Sequence, residues 1–223
     1  MKIATAVFYS TRELMSRLKR VVMLQDKSVL PYANAEITVT DISTDQLAPA
    51  QLYVLRGEFD KVRELRWSML EQFGVDILRL PDSKMRDGKI VPADADRAES
   101  VGFVEFTLDT NPDETITVLP PVVEGWTEDD KSYVNIINDG MHRCFAARIS
   151  RIIPAVVKIS KVPKNLPYYA FPLVEGWRGV QMVDRLDARL LKKYHRFREP
   201  EYKRYYRDFN SAFTNVGGPR GKG

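Results

Sequence analysis

An α+β fold is what this sequence predicts, and three observations predict it. Residues 133–160 (YVNIINDGMHRCFAARISRIIPAVVKIS) pass from an apolar segment through Asp-Gly and a short polar turn into a small-residue helix, then into a second apolar segment. Upstream, Phe59, Val62, Leu65, Met69, Leu70 and Phe73 recur at helical spacing and stop at Gly74, the residue type that ends helices in the left-handed conformation. Between them, residues 103–108 and 115–119 read as two strands of a hairpin joined by the turn-rich 109–114.

The other elements follow in chain order. Ser10-Thr-Arg-Glu13 matches a capping box, in which the Ser hydroxyl accepts from a free N–H and the Glu reaches back, so a first helix starts there. Leu14, Leu18, Val21 and Val22 continue it at helical spacing, and Pro31 ends the region. Residues 37–42 alternate as an edge strand, and 75–80 read as a short buried one. Asp87-Gly88 marks a turn within the polar stretch 81–100, and Pro120-Pro121 forces extended backbone. Val134, Ile136 and Ile137 then deliver Asp139-Gly140 to the end of a strand. In the helix over 141–150, Phe145, Ala146 and Ile149 are expected to face inward, with Ala146 and Ala147 allowing close approach to the sheet. Pro163, Pro167 and Pro172 stiffen a connector, 180–183 reads as one more short strand, a charged helix spans about 199–213, and the terminal GGPRGKG frays. The organisation expected is a helical and mixed N-terminal extension over 1–98, a core with a mixed sheet over 99–160, and a Pro-rich connector with a basic helical tail over 161–223.

Composition narrows the function classes. A chain of 223 residues with 44% apolar and 29% charged residues is an ordinary globular sequence, without the roughly 18-residue apolar run that spans a bilayer. A single cysteine, Cys144, forbids an internal disulfide and, with two distant histidines, makes a zinc site a poor fit. A cytoplasmic protein with no membrane partner is expected. The net charge of +4 is unevenly spread. Residues 185–207 interleave Lys and Arg with Tyr194, Phe197, Tyr202, Tyr205 and Tyr206, which suits either a solvated face docked by its aromatics or a phosphate-bearing partner such as DNA.

The chemistry-bearing candidate is the turn Asp139-Gly140-Met141-His142-Arg143. A strand that stops at a glycine before a helix gathers backbone N–H groups around an anion. His142 and Arg143, in the first helical turn, oppose the helix dipole, and a bound anion is a natural reason for cations there.

Gly140-Met141-His142-Arg143 followed by Ala146-Ala147, with Pro154-Ala155-Val156-Val157-Lys158-Ile159 as the next strand, resembles the ParB/sulfiredoxin superfamily over residues 118–159. Sulfiredoxins resemble this turn but carry a reactive Cys where this chain has Met141, which forms no covalent sulfur intermediate. Partitioning ParB proteins carry Gly-Glu-Arg-Arg and a helix-turn-helix, and nothing after Ser160 reads as one. The box is most similar to that of the free serine kinases, Asp-Gly-His-His-Arg, departing only at Met141. That resemblance implies a phosphotransferase using ATP or ADP with Mg²⁺ on a hydroxyl of an amino acid, a nucleoside or a hydroxylated DNA base. Gly140, Met141, His142 and Arg143 would bind the nucleotide, His142 and Asp139 would be catalytic, and Asp139 would also meet the metal. The family's acceptor-activating carboxylate does not align by motif. Glu124, at the end of the rigid Leu119-Pro-Pro-Val-Val segment, is the candidate base, with Asp94, Asp96 and Arg97 a weaker alternative. The other class is a nucleotide-binding, nucleic-acid-associated protein without turnover.

Overall fold

A computed structural model describes residues 1–128, 132–187 and 190–216. The expected fraying of 217–223 lies outside the described residues. The strands are β1 (Ile3–Ser10), β2 (Val22–Met23), β3 (Glu36–Asp41), β4 (Leu47–Ala48), β5 (Tyr53–Leu55), β6 (Lys84–Arg86), β7 (Lys89–Val91), β8 (Glu99–Leu108), β9 (Asn111–Val118), β10 (Val122–Thr127), β11 (Tyr133–Asp139), β12 (Ala155–Ser160), β13 (Gln181–Val183) and β14 (Arg207–Asp208). The α-helices are α1 (Thr11–Leu18), α2 (Arg56–Phe73) and α3 (Met141–Ile149). The α+β expectation therefore holds.

Two five-stranded sheets organise the molecule. In the first, β8 is paired by β1, β6 and β9, and β7 closes the β6 hairpin at Asp87-Gly88, where both residues have positive φ. In the second the order is β3-β12-β10-β11-β4, with β10 and β12 parallel and β3 an edge strand as its alternation predicted. The chain crosses from β9 to β10 through Leu119-Pro120-Pro121.

Residues 1–98 are not an extension of this core but part of it: β1, β3 and β4 supply strands to both sheets. The reason is visible in β1, where Ile3 and Phe8 are buried under Leu65 and Met69 of α2. The Ser10 hydroxyl caps α1 by accepting from the Glu13 N–H at 3.3 Å, but Glu13 does not reach back; it accepts from Arg17 instead. The helix stops at Leu18, and Val21 and Val22 lie beyond it. Gly74 ends α2 with φ of 69°. Residues 75–80 are buried as predicted yet form no strand, because Asp76 folds the segment, accepting from the Leu78 N–H while gripping Arg66 through both oxygens.

On one side of the second sheet, Val123, Ile137 and Val156 pack under Met141 and Cys144 of α3. On the other, Val122, Val157 and Ile159 meet Leu14, Leu18, Tyr32, Phe103 and Phe213. The face that α3 buries is thus Met141, Cys144 and Ala147, together with Ala146; Phe145 is half-buried against Phe59 and Trp177, and Ile149 is exposed rather than inward.

The basic helical tail is a correction. Residues 199–213 form two 3-10 turns, Glu201–Tyr205 and Phe209–Ser211, around β14, which pairs with β2. Tertiary contacts override helical propensity here. Phe197 stacks on Tyr205 and His195 on Tyr202, while Arg207 is pulled fully into the core, which requires extended backbone at that point.

Candidate functional site

β11 carries the chain to Asp139, Gly140 turns it with φ of 85°, and α3 starts at Met141. A side chain at Gly140 is blocked twice over: the conformation is left-handed, and a Cβ would lie 2.9 Å from both the Pro121 Cα and the Arg143 Nη2. Having no side chain, Gly140 also leaves α3 without a side-chain cap, so its first N–H groups keep their donor capacity.

Asp139, Gly140, Met141, His142 and Arg143 together line one cavity of about 530 Å³. Arg143 is nearly buried, its side chain 7% exposed, and donates from Nη2 to Asp139 Oδ2 at 2.7 Å. Its Nε is buried without a hydrogen-bond partner. A buried N–H of a permanently charged guanidinium left without an acceptor is costly, and a ligand oxygen is what would satisfy it. His142 Nε2 accepts the Leu55 N–H at 3.1 Å, so its proton sits on Nδ1, and burial holds the imidazole below its ordinary pKa. Neutral His142 thereby ties β5 to α3 while one ring N–H remains. Burial pushes the Cys144 thiol up to about 12, so the chain's single thiol is inert and packs as a core side chain.

Glu124 does not belong to this site. Strand alternation places it with Val122 on the face of β10 away from α3, fully buried. Both its oxygens are taken by Arg207, at 3.0 and 2.9 Å, and Oε1 also accepts from Tyr32 at 2.6 Å and Asn138 at 2.5 Å. Each of its oxygens is thus engaged inside the core, and Glu124 does not line the cavity that holds the turn. Asp94, Asp96 and Arg97 stand on the exposed chain after β7, where Asp96 and Arg97 pair at 3.8 Å, and none lines the cavity.

The cavity's other walls come from residues outside the box. Asn138, one residue before the box, touches the cavity and also bonds Glu124. Gln51, Tyr53 and Glu58 come from around β5 and α2, and Tyr169, Lys192 and Lys193 from the C-terminal segment. These positions are far apart in sequence; the adjacent pairs Tyr168-Tyr169 and Lys192-Lys193 were the available signal. Among the described residues, no three His, Cys, Asp or Glu side chains converge as a metal-binding group, and no helix is long and apolar enough to cross a membrane. Asp139, 27% exposed and with one oxygen on Arg143, fits as a single carboxylate toward a phosphate-bound Mg²⁺.

Fold and turn together define a ParB-like α+β protein. The chain belongs to the ParB CE domain family, whose model matches residues 13–181, from within α1 to the first residue of β13. The match takes in β3, β4, β6 and β7 but not β1, and it stops short of Lys192 and Lys193. No curated protein and no solved structure matches the chain.

Proposed function

We propose that this ParB-like chain binds a nucleotide through its phosphates at the Asp139–Arg143 turn and associates with nucleic acid, without turnover. The observation that carries the reading is Arg143: a buried guanidinium with an unpartnered Nε, at an uncapped helix N-terminus, on the wall of a cavity of about 530 Å³. That volume suits a nucleotide-sized ligand. The N–H groups of α3 and the guanidinium would take phosphate oxygens, and Gly140 lets the ligand approach the backbone. Asp139 has one oxygen free for Mg²⁺, which would neutralise phosphate charge. Phosphoryl transfer to a hydroxyl needs, in addition, a carboxylate open to the acceptor. With Glu124 saturated by Arg207, Tyr32 and Asn138, the resemblance to kinases loses the residue that would have served. Family membership and the basic last third favour a nucleic-acid partner.

Thermal shift with ATP, ADP and CTP in the presence of Mg²⁺ tests the reading on wild type, Arg143→Ala and Arg143→Lys. A shift in wild type that Arg143→Ala abolishes is expected. No shift with any nucleotide overturns nucleotide binding, and transfer of label from ATP to a hydroxyl acceptor overturns the absence of turnover. Binding to DNA should weaken steeply with salt, because phosphate contacts release counterions.

A further inference from the structure

The wall of the cavity supplied by the C-terminal segment holds a second cation, Lys193, which pairs with no carboxylate among the described residues. Lys193 is 7% exposed and lines the cavity. Its ammonium donates to the Tyr168 hydroxyl at 2.7 Å and to the Tyr169 hydroxyl, and lies 5.2 and 4.6 Å from the centres of the two rings. Among the described residues it meets no carboxylate: Glu124 is held by Arg207, Asp139 by Arg143, and Glu58 by Lys61. Phenol oxygens and ring faces soften the burial of an ammonium without neutralising it. Two of its three N–H groups are used, which leaves one donor at the edge of a cavity that already presents Arg143.

We infer that Lys193 is a second anion-binding residue of this cavity, and that the ligand is a polyphosphate whose inner phosphate lies on the α3 turn while an outer phosphate reaches Lys193. The inference rests on the nucleotide reading above and names the ligand class within it: a nucleoside di- or triphosphate rather than a monophosphate. Lys193 also lies beyond the stretch that the ParB CE domain matches, so the clamp is a feature of this chain's own C-terminal segment. A second observation agrees with the geometry. Burial drives the Tyr169 phenol up, yet Lys193 beside it, with the Tyr168 hydroxyl and Lys192, brings it below its ordinary value.

Calorimetric titration of the full chain with AMP, ADP and ATP tests this on wild type, Lys193→Met and Lys193→Arg. Wild type should bind ATP roughly tenfold or more tightly than AMP, since a charge-assisted hydrogen bond is worth about that much. Lys193→Met should bind AMP as wild type does and lose the gain, and Lys193→Arg should recover most of it. Alkaline titration of the wild-type tyrosines near 295 nm, with Tyr169→Phe to assign the signal, gives a readout that needs no Lys193 variant. ATP, but not AMP, should move the Tyr169 midpoint upward. Equal affinity for AMP and ATP in wild type, or a Lys193→Met protein that keeps the gain, overturns the clamp while nucleotide binding at the turn stands. Wild type that binds none of the three overturns both.

Discussion

Two arginine–carboxylate pairs sit on opposite faces of the second sheet, and they are built to different standards. Arg207 and Glu124 are both 0% exposed in their side chains, and every polar contact is closed. Arg207 holds both Glu124 oxygens and donates as well to the carbonyls of Pro167, Tyr205 and Leu166. Arg143 and Asp139 share one hydrogen bond, Asp139 is partly open, and Arg143 keeps an orphaned Nε beside a cavity. A saturated network specifies structure, whereas an unsaturated one at a cavity is held ready for something else. Motif reading assigned chemistry to a member of each pair; hydrogen-bond accounting separates them.

The largest effect should therefore come from the saturated pair. Glu124→Gln leaves the Arg207 charge buried without its counter-ion, and breaking such a pair costs about 3–5 kcal/mol. It should also loosen the last segment of the chain, since Arg207 fastens β14 and the 166–167 carbonyls to β10. Urea unfolding reads this directly. Arg143→Gln should cost much less, because Asp139 is open enough to regain water. Equal losses for the two variants would mean that the cavity arginine is as structural as the sealed one, and the comparison would collapse. Next in size is Gly140→Ala. Its φ of 85° and the 2.9 Å approach to the Pro121 Cα leave a methyl group no room without moving backbone. A loss of about 1–3 kcal/mol is expected for a side chain forced into such a conformation, together with loss of ligand-induced stabilisation. A variant as stable as wild type would show that the turn relaxes freely and has no fixed anion-binding shape.

Local rules carried the sequence reading as far as contacts within one turn or hairpin decide the outcome. Ser10 as a cap, Gly74 as a helix stop, the 87–88 turn, the β8–β9 hairpin and the β11–α3 turn with Gly140 all depend on neighbours within a few residues. What was not legible depends on long-range partners. β1 was missed because its strand character is realised only by pairing with β8, about a hundred residues away. Glu124 looks like a loop carboxylate until Arg207 arrives from 83 positions downstream to bury it. The helix pattern at 199–213 is real as a local pattern, and the pull of that same arginine undoes it. At the cavity the box was legible as a motif, while Lys193 was not, since nothing in its own segment says which wall it will form.

The smallest effect also concerns the open side of the sheet, and it has a definite sign. Burial lowers the pKa of His142 below its ordinary value, and burial with the nearby Lys193 does the same to His195. Just below about pH 6.5, the usual pKa of an unfolded histidine, the unfolded chain takes up a proton that the folded one refuses. Stability is therefore fully present above that pH and declines as pH falls toward the depressed folded value. For His142 the refusal has a structural reason: Nε2 is the acceptor of the Leu55 N–H, so protonation breaks the tie between β5 and α3 at the edge of the cavity. Urea midpoints measured from neutral pH down to about pH 5 should fall for wild type, and His142→Gln should remove part of that slope where His195→Gln removes a separate part. An unchanged slope in His142→Gln would place the acid sensitivity elsewhere, and the imidazole would then be free to change its charge when an anion binds beside it.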